Sequence, residues 1–317
     1  MDKKLKQEYV IAVDLGGSHV RVALVSSQGK IFGKLKEPTT KTGANAMAIT
    51  QQIFRLIREA LARADKSIAK NIRGIGIASC GPLNYKKGGP EHAPNLGFSF
   101  VPLVRPLEKE FSLPVKLLND CNAAVLGEQR FDAGKGIENL VYITISTGIG
   151  AGVIANNALL FGKSGNAAEV GHFIVDTTYH LPCTCGKGVG HWEGYASGRN
   201  IPRFFKHWAR MHGKKVNNEL KTAKDIFAAG RAHDRVVQEF LGELSKINAC
   251  AVSDIIAAYD PGLITFGGSV VFGNASVILQ GIKRHMEHFL KPPIIKATSL
   301  GEDIALLGAA SALFSKK

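Results

Sequence analysis

The sequence predicts an α/β protein built from two domains of related design, and three observations carry that expectation. The apolar run Tyr9-Val10-Ile11-Ala12-Val13 enters a glycine turn, Asp14-Leu15-Gly16-Gly17-Ser18, and leaves through Val20 to Val25. A second β-rich run, Leu140 to Ile145, passes through Ser146-Thr147-Gly148-Ile149-Gly150-Ala151-Gly152 and resumes at Val153-Ile154-Ala155. Val13-Asp14-Leu15-Gly16 can be laid over Ile145-Ser146-Thr147-Gly148, as two halves sharing one plan would require. Helical periodicity stands between the strand runs, which is the alternation of an α/β fold.

Composition sets the bounds. The chain has 317 residues, 45% hydrophobic and 21% charged, enough for one large or two medium domains with proper cores. No apolar run approaches the roughly 20 residues that span a bilayer, and the start, Met1-Asp2-Lys3-Lys4-Leu5-Lys6, has no apolar segment. A cytoplasmic protein with no membrane partner is expected. Five cysteines, Cys80, Cys121, Cys183, Cys185 and Cys250, are an odd number and suit a reducing compartment. The formal charge of +14 and pI near 9.6 come from scattered Lys and Arg rather than a basic block. That pattern argues against a nucleic-acid partner and reads as background that attracts phosphorylated ligands.

The elements follow in order. Asn45 to Asp65 is an amphipathic helix with Ile49, Ile53, Ile57 and Leu61 on one face. Ile72 to Ala78 is a strand ending at the turn Ser79-Cys80-Gly81-Pro82-Leu83. Asn84 to Gly89 reads as a hairpin tip, and Ala93-Pro94-Asn95-Leu96-Gly97-Phe98 as a loop. Val115 to Leu118 is a short strand, after which Asn119-Asp120 opens a helix over Cys121 to Phe131. Helices are expected over 225–231 and 234–259, the longer one with Val236, Val237, Phe240, Leu241, Leu244, Ile247 and Ala251 on its apolar face. Leu263 to Phe266 is a strand that runs into a third glycine turn, Gly267-Gly268-Ser269, and Ile304 to Phe314 is a last helix.

Residue chemistry narrows the field only partly. Alternating glycines let backbone N–H groups approach an anion, yet glycine in a strand also marks an ordinary hairpin or bulge. Asp14 could hold Mg²⁺ through water, and Asp at a strand end is also a common turn residue. Asp120 at a helix start reads equally as an N-cap. Cys183 and Cys185, with His172 before them and His191 after, offer four ligands for tetrahedral Zn²⁺. The glycines at 186, 188 and 190 favour a metal-tied knuckle, since so glycine-rich a segment needs something to order it.

The run from Ile145 to His172, with Gly148-x-Gly150-x-Gly152, Gly162, Ala168 and Gly171-His172, resembles the signature of the ROK family of repressors, open reading frames and kinases. The Cys-x-Cys-Gly segment ending in Glu193 resembles that family's zinc loop, and the resemblance extends over nearly the whole chain. It implies two actin-like, ribonuclease H-like domains with an interdomain active-site cleft. The first would cover 1–120, with the helix 304–317 packing back onto it, and the second 121–303.

The resemblance also implies residue roles. ATP and Mg²⁺ would be met by Asp14, Gly16, Gly17, Ser18, Arg21, Thr147, Gly148, Gly267 and Gly268. Sugar would be met by Gly81, Asn95, Asn119, Asp120, Glu169, His172 and Glu193, with Asp120 as general base. Structural zinc would sit on His172, Cys183, Cys185 and His191. Two departures stand out: Cys80 replaces a proline of the family's Pro-Gly-Pro turn, and His191 stands where a third cysteine is usual. The implied reaction is ATP-dependent phosphorylation of the 6-hydroxyl of glucose, N-acetylglucosamine or N-acetylmannosamine, by a homodimer. The alternative is a sugar-binding sensor without catalysis. Family repressors carry a helix-turn-helix module before the first phosphate strand, where only about eight residues stand here, so the kinase is the expectation.

Overall fold

Strands β1 (Tyr9–Leu15), β2 (His19–Ser26), β3 (Ile31–Pro38), β4 (Ile72–Ser79) and β7 (Val115–Asn119) form one sheet in the order β3-β2-β1-β4-β7. In this computed structural model, residues 7–41 and 46–314 are described. The first three strands form an antiparallel meander, and β4 and β7 run parallel to β1. Every residue of β1 is buried, which is why its sequence is apolar apart from Asp14, whereas edge strand β3 is only partly covered and carries Lys34, Lys36 and Glu37.

Helix α1 (Met47–Ala62) lays Ile49, Ile53, Leu56, Ile57 and Ala60 into the core on β2 and β3, and α2 (Lys66–Ala69) follows. Its expected start at Asn45 lies outside the described residues. Helix α3 (Val104–Phe111) packs on α1 and β7. Helices α4 (Asp120–Phe131) and α11 (Ile304–Ser311) lie together against the sheet. Glycine makes that approach possible: a Cβ at Gly308 would overlap the Ala123 carbonyl, and one at Gly76 the Ala309 carbonyl. Helix α11 is shorter than the expected 304–314, and residues 315–317 are outside the described set. A small ladder, β5 (Leu83–Asn84) with β6 (Gly89–Pro90), carries the tip 85–88.

These elements belong to a unit comprising Met1–Gly136, Phe161–Ala167 and Glu302–Lys317. The expected change of domain after residue 120 therefore differs from the observed one, because α4 packs on α11 and stays with the first sheet.

The second unit comprises Ile137–Leu160 and Ala168–Gly301. Its strands, β8 (Leu140–Ile145), β9 (Ile149–Ala155), β10 (Ala158–Leu159), β11 (Leu263–Gly267) and β12 (Ile294–Ala297), are ordered β10-β9-β8-β11-β12. Numbered within each five-stranded sheet, both read third, second, first, fourth, fifth, with the same mix of directions. Helices α5 (Glu193–Ala196), α6 (Ile201–Met211), α7 (Ala223–Arg231), α8 (Arg235–Tyr259), α9 (Ser269–Phe272) and α10 (Ala275–His285) complete it. Trp192, Tyr195, Phe204, Phe205 and Phe240 are fully buried at its centre, and α8 turns Val237, Phe240, Leu244 and Ile247 into that core. Among the described residues no helix is long and apolar enough to cross a membrane.

Candidate functional site

In the first unit the parallel register aligns Leu15, Ser79 and Asn119 at the carboxyl ends of β1, β4 and β7. The glycine hairpin, the Cys80-Gly81 turn and Asp120 therefore stand side by side at one sheet edge, the usual ligand edge of a parallel sheet. The hairpin is held from within the unit. The Thr39 hydroxyl donates to the Gly16 carbonyl (2.7 Å), and the Thr39 N–H to that of Ser18 (3.0 Å). Gly17 lies against Asn95, whose own side chain is exposed; a Cβ at Gly17 would overlap the Asn95 Cβ.

Asp14 and Arg21 stand opposite one another across β1 and β2, and form an ion pair. Asp14 is only 5% exposed; burial pushes its carboxyl upward, and the Arg21 guanidinium pulls it back down. Arg21 also donates to the Glu302 carbonyl (2.6 Å). Its expected role on the nucleotide thus competes with two partners inside its own unit. For Mg²⁺ the fit is limited: Asp14 is one carboxylate already answered by a cation, so it suits contact through water rather than direct ligation.

The helix start resolves the ambiguity at Asp120. Asn119 is the N-cap, its Oδ1 accepting from the N–H groups of Cys121 (2.9 Å) and Asn122 (3.4 Å). Asp120 is the first helical residue, half-buried, with its Oδ1 accepting from the Cys121 N–H (2.9 Å). A carboxylate in the first turn is favoured by the helix dipole. Burial, then the charges of Asp120 and Asp14, push the Cys80 thiol up to about 12.

In the second unit the equivalent hairpin leans on Glu193, the first residue of α5. The Ile149 N–H donates to Glu193 Oε2 (3.0 Å), and a Cβ at Gly148 would overlap that carboxylate. Thr147 is exposed at the tip. Gly267 and Gly268 face β8: a Cβ on Gly267 would meet the Tyr142 hydroxyl, and Gly268 has φ +95° with no room beside the Ile145 carbonyl. Close packing accounts for both glycines without a ligand. Ser146 and Ser269 join this turn to the hairpin through their hydroxyls (3.1 Å).

One ligand atom from each of His172, Cys183, Cys185 and His191 lies within 4.8 Å of the other three. The two Nδ1 atoms are 3.3 Å apart, and Cys185 Sγ is 3.6 Å from His191 Nδ1. A tetrahedron with Zn–N and Zn–S bonds of about 2.05 and 2.3 Å has N···N and S···N edges of about 3.3 and 3.6 Å. The donor set and its geometry therefore fit Zn²⁺. Burial pushes the Cys183 thiol up to about 11, so metal binding must displace a proton there, and it lowers His191, which favours the neutral ligand form. With His172 Nδ1 turned to the centre, its Nε2 faces Glu169 Oε2 at 4.0 Å. Partial burial raises the Glu169 carboxyl, His172 lowers it and Glu193 raises it.

The loop is also braced by protein groups that its sequence scarcely announces. Asp176 accepts from the N–H groups of Thr178 and Tyr179 (both 2.9 Å) and from the Tyr195 hydroxyl (2.7 Å). Buried Asn200 donates to Thr184 Oγ1 and to the Glu193 carbonyl (both 3.0 Å). The Asp-x-Thr pattern at 176–178 was the available signal for the first; Asn200 had none.

The twice-used sheet order and the glycine hairpins define an actin-like α/β protein. The sequence pattern of the ROK family matches residues 10–317, and the chain belongs to that family. It is 34% identical over 303 residues to a glucokinase of Pyrobaculum calidifontis, covering 95% of this chain and 93% of the relative. A crystal structure of a ROK family glucokinase from Streptomyces griseus in complex with glucose and AMPPNP superposes with TM-score 0.76 at 30% identity, covering 96% of this chain and 98% of that one. ROK hexokinase from Thermus thermophilus gives TM-score 0.75 at 29% identity, covering 96% and 97%.

Proposed function

We propose that this protein is an ATP-dependent sugar kinase that phosphorylates the 6-hydroxyl of a hexose or N-acetylhexosamine. The observation that carries the reading is the division of labour at the start of α4: Asn119 caps the helix, which leaves Asp120 as a first-turn carboxylate at the ligand edge of the sheet. Such a group can accept the proton of the attacking hydroxyl while the γ-phosphoryl group departs from ADP. Glu169, His172 Nε2, Glu193 and Asn95 would hydrogen-bond the sugar hydroxyls, and the two glycine hairpins would hold the phosphates. Mg²⁺, when bound with ATP, supplies charge neutralisation at the phosphates, and Asp14 would orient its water shell. Zinc would hold His172 and the loop leading to Glu193 in place without entering the reaction. Glucokinase and hexokinase relatives support hexose as acceptor; a cytoplasmic homodimer completes the reading.

ADP release should be followed with Mg-ATP and a panel of glucose, mannose, fructose, N-acetylglucosamine and N-acetylmannosamine. Turnover on one or two sugars is expected, and silence across the panel in folded protein would sink the kinase. Asp120→Asn should reduce turnover by about 10²- to 10⁴-fold while sugar affinity stays within a few-fold. Turnover near wild type would remove Asp120 from the role of base. Elemental analysis should find one zinc per chain, lost in Cys185→Ser; a metal-free wild-type protein refutes that part.

A further inference from the structure

The tip between β5 and β6 carries Tyr85, a residue with no part in the expected site. Its hydroxyl is buried and has no hydrogen-bond partner, and neither has the buried Asn122 Oδ1 on the first turn of α4. The two orphans are neighbours: the phenol lies beside the Asn119 backbone and the Asn122 side chain, within reach of the Asp120 charge. An asparagine amide can be turned over without moving other atoms. Turning that of Asn122 lets the Tyr85 hydroxyl donate to Oδ1 and satisfies both groups at once.

The opposite face of the ring is also occupied. Phe161 packs on it with centroids 4.5 Å apart, and Gly165, at φ +80°, lies so close that a Cβ would overlap the ring. Segment 161–167 thereby belongs to the first unit, although the chain on either side of it belongs to the second. Glu169 follows two residues after the segment ends.

We propose that Tyr85 is a positioning residue that seats the first turn of α4, and with it Asp120, through its hydroxyl, while its ring holds segment 161–167 and so anchors the chain leading to Glu169. The catalytic part of this rests on the kinase reading above. Tyr85→Phe keeps the ring and removes the hydroxyl; Tyr85→Ala removes both. Small errors in placing a base cost rate rather than binding, so Tyr85→Phe should lower kcat about tenfold with the sugar KM within twofold. Tyr85→Ala should lower kcat as much and also raise the sugar KM about tenfold.

Amide hydrogen exchange on the same proteins gives a readout that needs no turnover. Exchange should quicken at 119–124 in both variants, and at 161–167 only in Tyr85→Ala. If Tyr85→Phe matches wild type in kcat and in exchange at 119–124, the proposal is overturned. If wild type phosphorylates no sugar, the kinase reading fails, and the exchange pattern alone decides whether Tyr85 seats the turn.

Discussion

The two units use one strand order but secure the same hairpin by different physics. In the first, Thr39 holds the turn after β1, and charge secures the strands at its base: buried Asp14 pairs with Arg21, which reaches on to the Glu302 carbonyl. In the second, the turn after β8 has neutral Ser146 at the place of Asp14, hydrogen-bonded to Ser269, while Glu193 accepts from the backbone of Ile149. Yet both hairpins place a glycine directly against a proposed sugar contact, Gly17 on Asn95 and Gly148 on Glu193. The anchoring differs between the units, and the close approach of a hairpin glycine to a proposed sugar contact is common to both. Those glycines are required by neighbouring protein atoms as well as by any phosphate.

Removing the charge from one unit and the hydrogen bond from the other should expose the first difference. Arg21→Met leaves Asp14 buried without its cation and should cost about 3 kcal/mol, read as a lowered unfolding midpoint. Ser146→Ala loses one neutral hydrogen bond at a partly exposed position and should cost about 1 kcal/mol or less. The Arg21→Met deficit should also depend on pH. Burial already raises the Asp14 pKa, and losing Arg21 raises it further, so the folded state holds a proton more tightly than the unfolded chain. The deficit should therefore shrink as pH falls from neutral toward the ordinary carboxylate range, and be fullest above the folded-state value. Equal, pH-independent losses in the two variants would erase the contrast.

Much of this was legible in the sequence because it is written in local pattern. The fully buried strands read as runs of mostly apolar residues, the α8 face repeats at helical spacing, and the four candidate metal ligands stand within a twenty-residue stretch. What escaped depends on contacts between segments distant in the chain. Nothing in Asn119-Asp120 says which of the two caps the helix, since both residue types do so readily; the fold settles it by turning Asn119 back onto the next turn. Arg21 follows a glycine turn as a nucleotide contact would, and only the pairing of β1 with β2 sets it opposite Asp14. Likewise Gly267 and Gly268 look like a ligand loop, and the structure accounts for them by their closeness to β8.

The smaller test bears on the shared feature. Gly17→Ala sets a methyl group against the Cβ and carbonyl of Asn95, atoms fixed by the backbone, so relief requires the Asn95 loop to move. Such overpacking typically costs about 1–3 kcal/mol, and the sugar KM should rise about tenfold or more as Asn95 is displaced. Gly148→Ala meets only the carboxylate end of Glu193, which can rotate aside but gives up its hydrogen bond from the Ile149 N–H in doing so. Its stability cost should be about 1–2 kcal/mol, that of one hydrogen bond to a charged group, with the sugar KM rising a few-fold and zinc content unchanged. Sugar and ATP KM values measured side by side would separate this from simple damage to a phosphate turn. If both variants raised only the ATP KM, the glycines would be there for the phosphates alone, and the contact with Asn95 and Glu193 would be incidental packing.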